Sequence, residues 1–542
     1  MSEKTLQGKS IKKFWSIGEP WVWVTGAALS TTLLICATLI IVVMVNGLGV
    51  FWPSQVVLLQ LKDGQQVAGE IVKREATALG DGQRLQLKVG NRDLYGMDFR
   101  WIDLDQVTQM SNPPDLVVLE RQEYGNFYGY LQRVEAPGVE NLREPDPVAL
   151  FHQVRENMAG KLKEAEQIDH RMAKLNRKLN QIRRDLLKLG YQGVDPGSPQ
   201  FADLTRRQLV LREDFEELIE QQGRVAASLN LFQATFTDAS GREKTMPLVD
   251  IVRLYQPNDM SVGSKILFYL GKIKELFVED PRESNTEGGL FPAIFGTVML
   301  VFVMSLFSFP LGVIAAIYLR EYAKDGTIVR LVRIAVNNLA GIPSIVYGIF
   351  GLGFFVYGIG GAIDQLFFPE RLPTPTFGTG GILWASLTLA LLTVPVVIVA
   401  TDEALGAIPA GVRDGSLALG ATKFQTLVRI LIPMASPGIM TGLILAMARA
   451  AGEVAPLMIT GVVKLAPSLP LDGEFPFLHL DRKFMHLGFH IYDIGFQSPN
   501  VEAAKPMVFV TTLLLVLIVL VMSSFAIYLR NKMKKRYTYS AF

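Results

Sequence analysis

Arg449 and Glu453 stand four residues apart in ARAAGEVAPLM, within an apolar run that extends from about Pro437 to Val463. A guanidinium at the centre of a membrane helix costs about 2.5 to 3.5 kcal/mol on insertion scales, so something must compensate it. On a helix the two side chains share one face. Arg449 can then face a polar pathway and offer its planar fork to an oxyanion, a geometry suited to bidentate recognition. Glu453 would orient the fork and keep it from trapping the anion. The other reading is a structural ion pair buried between helices, with no substrate contact.

Weaker candidates surround this pair. In NNLAGIPSIVYGIFG, Gly341, Pro343 and Gly348 interrupt a second apolar run, and broken helices expose backbone groups tolerated only against protein or a wet cavity. Ser344 can line such a pathway or bond back to its own helix. Asn337 and Asn338 are expected to pack polar contacts near one end of that run. His479, His486 and His490 share one loop, but their spacing is no metal signature. Cys36 is the sole cysteine, so neither a disulfide within the chain nor a cysteine metal site is available. The chain lacks a Gly-rich loop followed by Lys-Ser or Lys-Thr, so it carries no phosphate-cradling nucleotide motif of that kind.

Such residues need a membrane to position them. The chain has 542 residues, 49% hydrophobic and 19% charged, with a mean hydropathy of +0.28, which excludes an ordinary soluble enzyme. The apolar residues fall into runs of about Trp21 to Val50, Leu290 to Tyr318, Ile334 to Gly358, Gly380 to Ala400, Pro437 to Val463 and Met507 to Leu529. Each is long enough for a hydrocarbon core of about 30 Å, which needs roughly 20 helical residues. Trp21, Trp23 and Trp52 flank the first, at interfacial positions. That run is too long, and lacks the small-residue cleavage site, for a removable signal peptide.

Lys and Arg in short flanks set the orientation. With a cytoplasmic N-terminus, the inside segments hold Lys4, Lys9, Lys12 and Lys13; Arg320, Lys324, Arg330 and Arg333; Arg413, Lys423 and Arg429; and Arg530, Lys532, Lys534, Lys535 and Arg536. The outer loop 359–379 has only Arg371. Segment 464–506 is less clean, with Lys464, Arg482, Lys483 and Lys505, but it is long enough to dilute the rule. Both termini are therefore expected in the cytoplasm and the large polar insert outside. The net charge of +2 gives no argument for a nucleic-acid partner, because topology accounts for the basic residues.

The insert has its own order. From Gln55 to about Val118 apolar and polar residues alternate, with Asp63-Gly64 as a hairpin turn signal, so strands are expected. Apolar residues then recur at steps of three and four from Phe151 through Val154, Met158, Leu162 and Ile168 to Leu189. After the break GYQGVDPGSPQ a second seam runs through Leu204, Leu211, Phe215, Leu218, Val225 and Leu229. An antiparallel coiled-coil hairpin is the economical reading. FRWIDLDQVTQMSNPPDLV before it loosely echoes KTMPLVDIVRLYQPNDMSV after it, which suggests two halves of one β module. Ser264 to Val278 reads as an amphipathic helix on the outer membrane surface, with Ile266, Leu270, Ile273 and Phe277 on one face.

The segment DGSLALGATKFQTLVRILIP, Asp414 to Pro433, lies on the expected cytoplasmic side. Its spacing, Asp414-Gly415-Ser416, three residues, Gly420, nine residues, Ile430, one residue, Ile432 and Pro433, resembles the EAA loop of ABC-transporter permeases, with Asp for the family's Glu and Gly-Ser for its Ala-Ala. A short helix ending at Gly420, a turn, and a second helix stopped before Pro433 are expected. Gly415 lowers helix propensity by about 1 kcal/mol relative to Ala. From about Glu287 onward, EGGLFPAIFGT, NNLAGIPSIVYGIFG and ARAAGEVAPLMITG are similar to the PstA-type permease subunit of bacterial phosphate ABC importers.

That resemblance implies an α-helical integral membrane protein with six transmembrane helices and the ABC-importer permease fold, bearing an extracytoplasmic insert of β strands plus the coiled-coil hairpin. Its expected divisions are a cytoplasmic N-terminus (1–20), a first transmembrane helix (21–50), the insert (51–286, hairpin about 148–230), a core of five transmembrane helices (287–531) with a coupling loop (402–436), and a cytoplasmic tail (532–542). It further implies a bacterial inner-membrane permease that is not itself an enzyme and binds no cofactor. A cytoplasmic ATPase dimer would carry ATP and Mg and dock on the EAA-like loop. A second homologous permease subunit, an extracytoplasmic phosphate-binding protein and membrane lipid complete the expected partners. Arg449, Glu453 and Ser344 are its expected pathway residues, and Asp414, Gly415, Ser416, Gly420, Ile430 and Pro433 its expected coupling residues. A permease for another oxyanion, molybdate or sulfate, and a membrane-anchored envelope scaffold or sensor are the alternatives.

Overall fold

The computed structural model describes residues 18–76, 82–137, 147–473, 475, 477–498 and 500–538. Lys4, Lys9, Lys12 and Lys13 of the expected N-terminal segment, residues 539–542 of the expected tail and the side chain of Arg536 lie outside them. Among the described residues, six helices are long and apolar enough to cross a membrane. The first, α1 (Glu19–Gly49), exposes Leu33, Leu34 and Leu39, as lipid contact demands. It meets the rest of the chain near Gly47, where a Cβ would lie 3.1 Å from the Phe509 carbonyl oxygen.

The insert begins with β1 (Val56–Leu61), β2 (Gln66–Ala76), β3 (Gln83–Lys88) and β4 (Phe99–Asp103), an antiparallel meander. Gly64, at φ +85°, makes the turn after β1 that Asp63-Gly64 predicts. A 3-10 turn, Leu104–Gln106, then sends β5 (Val107–Ser111) back beside β1. The same path recurs in β6 (Val117–Arg121), β7 (Phe127–Glu135), β8 (Gln233–Thr237), β9 (Glu243–Pro247) and β10 (Ile251–Tyr255), where the 3-10 turn Leu248–Asp250 returns the last strand to β6. The sequence echo marks this strand, 3-10 turn, strand corner. Each copy of the corner closes its own five-stranded sheet. The sheets share a small core in which Val56 and Ala68 of the first meet Val118 and Tyr128 of the second.

The helical hairpin leaves the second sheet between β7 and β8 as α2 (Pro147–Tyr191) and α3 (Pro199–Leu229). Ser198 caps α3 by accepting from the Phe201 N–H, with Pro199 at its first position. Near the sheet, Phe151, Val154, Met158 and Ile168 of the predicted seam pack with Leu218, Val225 and Leu229 on Phe127 and Phe236. From residue 169 to 217 no residue is fully buried, so the outer part is a bare two-helix arm.

Helix α4 (Val262–Val278) exposes Ile266, Leu270 and Phe277 while burying Glu275 and Leu276. The Glu275 carboxylate meets Arg253 at 3.0 Å, Lys272 at 3.2 Å and Arg282 at 2.5 Å. Those cations compensate its burial and fasten α4 to the second sheet.

The membrane core follows as α5 (Phe291–Tyr322), α6 (Thr327–Leu339), α7 (Ser344–Phe367), α8 (Ile382–Gly406), α9 (Ala410–Ala418), α10 (Lys423–Gly452), α11 (Ala455–Thr460), α12 (Leu487–Tyr492) and α13 (Val501–Thr538). Helix α8 is its centre, because small residues let its neighbours approach closely. A Cβ on Gly312 of α5 would come within 2.6 Å of Val397, and one on Gly438 of α10 within 2.5 Å of Ala404. Two expected spans are corrected. The run Ile334 to Gly358 is cut at Ala340–Pro343, since Pro343 cannot continue a helix from α6, and the span starts at Ser344. The run Pro437 to Val463 is displaced toward the N-terminus, into α10, and breaks after Gly452. Asn337 and Asn338 are exposed on α6 and do not pack as expected.

Candidate functional site

Arg449 lies in the last turn of α10 and not at the middle of a span. There the unpaired carbonyls of the helix end favour a cation. Glu453 is already extended, at φ −81° and ψ 133°, so it is not one helical turn further along as expected. It swings back nonetheless, and its Oε1 lies 3.6 Å from Arg449 Nε. The two side chains are 32% and 22% exposed, so the rest of the chain only partly covers this ion pair.

The break at Glu453-Val454 leads into α11, with Pro456 in its first turn. Pro456 seats on the other broken helix: a Cβ on Gly348 would come within 2.8 Å of its Cα. Gly348 is thus a contact for α11, and the break between α6 and α7 is made by Gly341 and Pro343. The Tyr347 hydroxyl donates to the Leu339 carbonyl across that break at 2.7 Å. Ser344 is half-buried at the first position of α7; no hydrogen bond joins it to Arg449 or Glu453 among the described residues. Sequence reasoning missed Tyr347, although a Tyr four residues after Pro343 in an apolar run was a usable signal.

The second group sits at the C-terminal end of α8, where Leu405 and Ile408 pack with Leu427 and Leu431. Helix α9 covers Ala410–Ala418, and Gly420 reverses the chain at φ +86°, where a side chain would be strained. Thr422 and Gln425 then form a capping box at the start of α10. Asp414 and Gly415 are exposed, and a Cβ on Gly415 would meet nothing within 4 Å. Ser416 is buried, with its Oγ 2.8 Å from the Thr426 hydroxyl, a stitch between the helices that alanine could not make. Ile430 and Pro433 are half-buried. The expectation that a helix stops before Pro433 is corrected: a widened π turn at Leu427–Leu431 precedes the proline, and α10 runs on to Gly452. Such a turn absorbs the missing proline N–H without ending the helix.

Three features of this end were not singled out from sequence. Leu419 is 91% and Phe424 65% exposed, an apolar knob on the tip of the α9–α10 hairpin. Arg413 clamps the hairpin to α5 through Glu321 at 3.0 Å, and to the end of α8 through the Leu405 carbonyl at 2.7 Å. Asp402 of α8 meets Arg320 at 3.5 Å and Arg333 at 3.3 Å. These arginines counted only toward topology, since a pairing across helices leaves no trace in local spacing.

The three histidines form no metal cluster among the described residues. His479 Nε2 lies 3.0 Å from Asp472. His490 Nε2 donates to the Asn285 carbonyl at 3.0 Å, and His486 Nδ1 accepts from the Gly488 N–H at 3.1 Å. Burial pushes His486 down to about 3 and His490 down to about 4 from an ordinary 6.5. Both fold as neutral rings, so their contribution to stability is complete above pH 6.5 and is lost as the pH falls from 6.5 toward 4. Hydrogen exchange across 485–493 is expected to accelerate between about pH 7 and pH 5, after correction for intrinsic rates. Unchanged protection would remove these rings as the cause.

Residues 308–535 match the family described as the binding-protein-dependent transport system inner membrane component. The chain is similar to the probable ABC transporter permease protein YqgH of Bacillus subtilis, 33% identical over 36% of this chain and 59% of that protein. It is similar to the probable phosphate transport system permease protein PstA of Methanocaldococcus jannaschii, 34% identical over 40% of this chain and 67% of the relative. It is also similar to the probable ABC transporter permease protein YqgI of Bacillus subtilis, 31% identical over 40% of this chain and 70% of the relative. The chain thus spans between half and two thirds or slightly more of the length of these relatives.

Proposed function

From the premise that this chain belongs to the binding-protein-dependent transport system inner membrane component family, we propose that it is the permease subunit of an ATP-driven importer of inorganic phosphate. The observation that carries this reading is Arg449, a guanidinium at a helix break with its carboxylate partner 3.6 Å away, in a chain similar to a relative described as a probable phosphate transport system permease protein. The pair is loose and partly exposed, so an incoming tetrahedral oxyanion can take the fork while Glu453 swings aside. Two N–H groups of a guanidinium match two oxygens of phosphate. The nearby carboxylate then limits the grip and favours release.

The insert is extracytoplasmic in this reading, both termini are cytoplasmic, and a binding protein delivers phosphate at the outer face. A second homologous permease subunit completes the pathway. Ser344, heading α7 at the neighbouring break, lines it. On the cytoplasmic side the α9–α10 hairpin, with Asp414, Gly415, Ser416, Gly420, Ile430 and Pro433, docks on an ATPase dimer that binds ATP and Mg. Because α10 continues unbroken from that hairpin to Arg449, closure of the ATPases moves the anion site directly.

The test is transport by the complex purified from its native membrane and rebuilt in vesicles. ATP-dependent accumulation of phosphate, with sulfate and molybdate excluded, is the expected result. Accumulation of either competitor in place of phosphate would assign the chain to another oxyanion.

A further inference from the structure

The distal part of the α2–α3 arm has a charge that the site does not use. Residues 171–207 contain nine Lys or Arg against three Asp or Glu, in a chain whose net charge is only +2. Near its tip Arg183, Arg184, Lys188, Arg206 and Arg207 are all exposed. Of these five only Arg207 has a carboxylate partner among the described residues, Asp203 at 2.8 Å.

Their placement is informative. Neighbouring residues on a helix point about 100° apart, so Arg183 and Arg184 diverge on α2 as Arg206 and Arg207 do on α3. The cations therefore surround the arm and do not form one basic face. Within their collar, Tyr191 is 65% and Leu187 46% exposed. A folded protein partner meets one side of a helix pair. An apolar, aromatic tip ringed by cations instead suits entry into a headgroup layer, with Tyr and Leu at the acyl boundary and Arg and Lys on the phosphates.

We propose that the tip of the arm binds an anionic lipid surface on the side of the membrane that the insert faces. The site at Arg449 takes no part in this contact.

The full-length protein, held in discs of phosphatidylcholine, can be floated with added vesicles. Co-flotation is expected with phosphatidylcholine vesicles containing about one third phosphatidylglycerol, not with phosphatidylcholine alone, and it should disappear near 0.5 M salt, roughly where screening shortens to a few ångströms. Replacing the five cations together, Arg183→Glu, Arg184→Glu, Lys188→Glu, Arg206→Glu and Arg207→Glu, should weaken binding at least about 100-fold. Leu187→Ser with Tyr191→Ser should weaken it about 10-fold. A set with Gln in place of Glu tests the same point if the charge-reversed arm loses helicity by circular dichroism. Equal flotation with neutral vesicles, or undiminished binding by both charge variants, overturns the proposal. So does failure to float while a soluble acidic protein binds the arm.

Discussion

Phosphate accumulation by the rebuilt importer is expected to fall at least about 100-fold with Arg449→Ala, while the ATPase still copurifies. The magnitude follows from two charge-assisted hydrogen bonds to the anion, each contributing about 1.5 to 3 kcal/mol, against about 1.4 kcal/mol per tenfold change in rate. Arg449→Lys keeps the charge but loses the planar fork, so it should retain an intermediate rate. Glu453→Gln should act in the opposite sense on binding: the anion is held more tightly and leaves more slowly. Ordinary uptake in Arg449→Ala would leave the pair as a structural brace and remove the anion site from this helix break.

Leu419→Asp combined with Phe424→Asp is expected to raise the dissociation constant for the ATPase at least about 100-fold and to abolish transport, with the permease still folded and inserted. Covering one such side chain contributes about 1.5 to 3 kcal/mol, and both are largely exposed in the isolated chain. The paired substitution therefore removes an apolar contact and adds charges to a desolvated surface. Gly415→Ala is the informative control. Its Cβ would meet nothing within 4 Å, and alanine favours the helix by about 1 kcal/mol, so association should be kept or improved. Ser416→Ala should weaken the hairpin by about 1 kcal/mol through the lost bond to Thr426. If the Leu419 and Phe424 pair can be charged without loss of the ATPase, the knob is not the docking surface.

How much of this was legible depended on the kind of information each element leaves in the chain. The arm was readable because its seam recurs at three and four residues from Phe151 to Leu189. The duplicated corners were readable as a faint echo, but not as two complete sheets, since strand pairing joins residues as distant as Val118 and Tyr255. Hydropathy located the spans and blurred their ends: Pro437 to Val463 stays apolar across the break at Glu453-Val454, and apolarity does not report backbone angles. Pro433 misled in the other direction, because a π turn can carry a helix past a proline. At the site, Arg449 and Glu453 were found by the burial penalty of a charge. Glu321 and Asp402 matter through partners on other helices, of which one sequence holds no trace, whereas Tyr347 was marked by its place four residues after Pro343.

The arm leaves the second sheet after β7 and returns at β8, and Glu135 is paired with Gln233 at that point. Its two roots are therefore neighbours, and its first turns cap the sheet they leave, with Phe151, Val154 and Leu229 over Phe127 and Phe236. Only the stretch from residue 169 to 217, where no residue is fully buried, is a graft on a finished scaffold: a tight turn between the helices could replace it, or an optical reporter take its place, with the strands below unaware of the exchange. A lineage could lengthen, shorten or discard it without having to reinvent the permease.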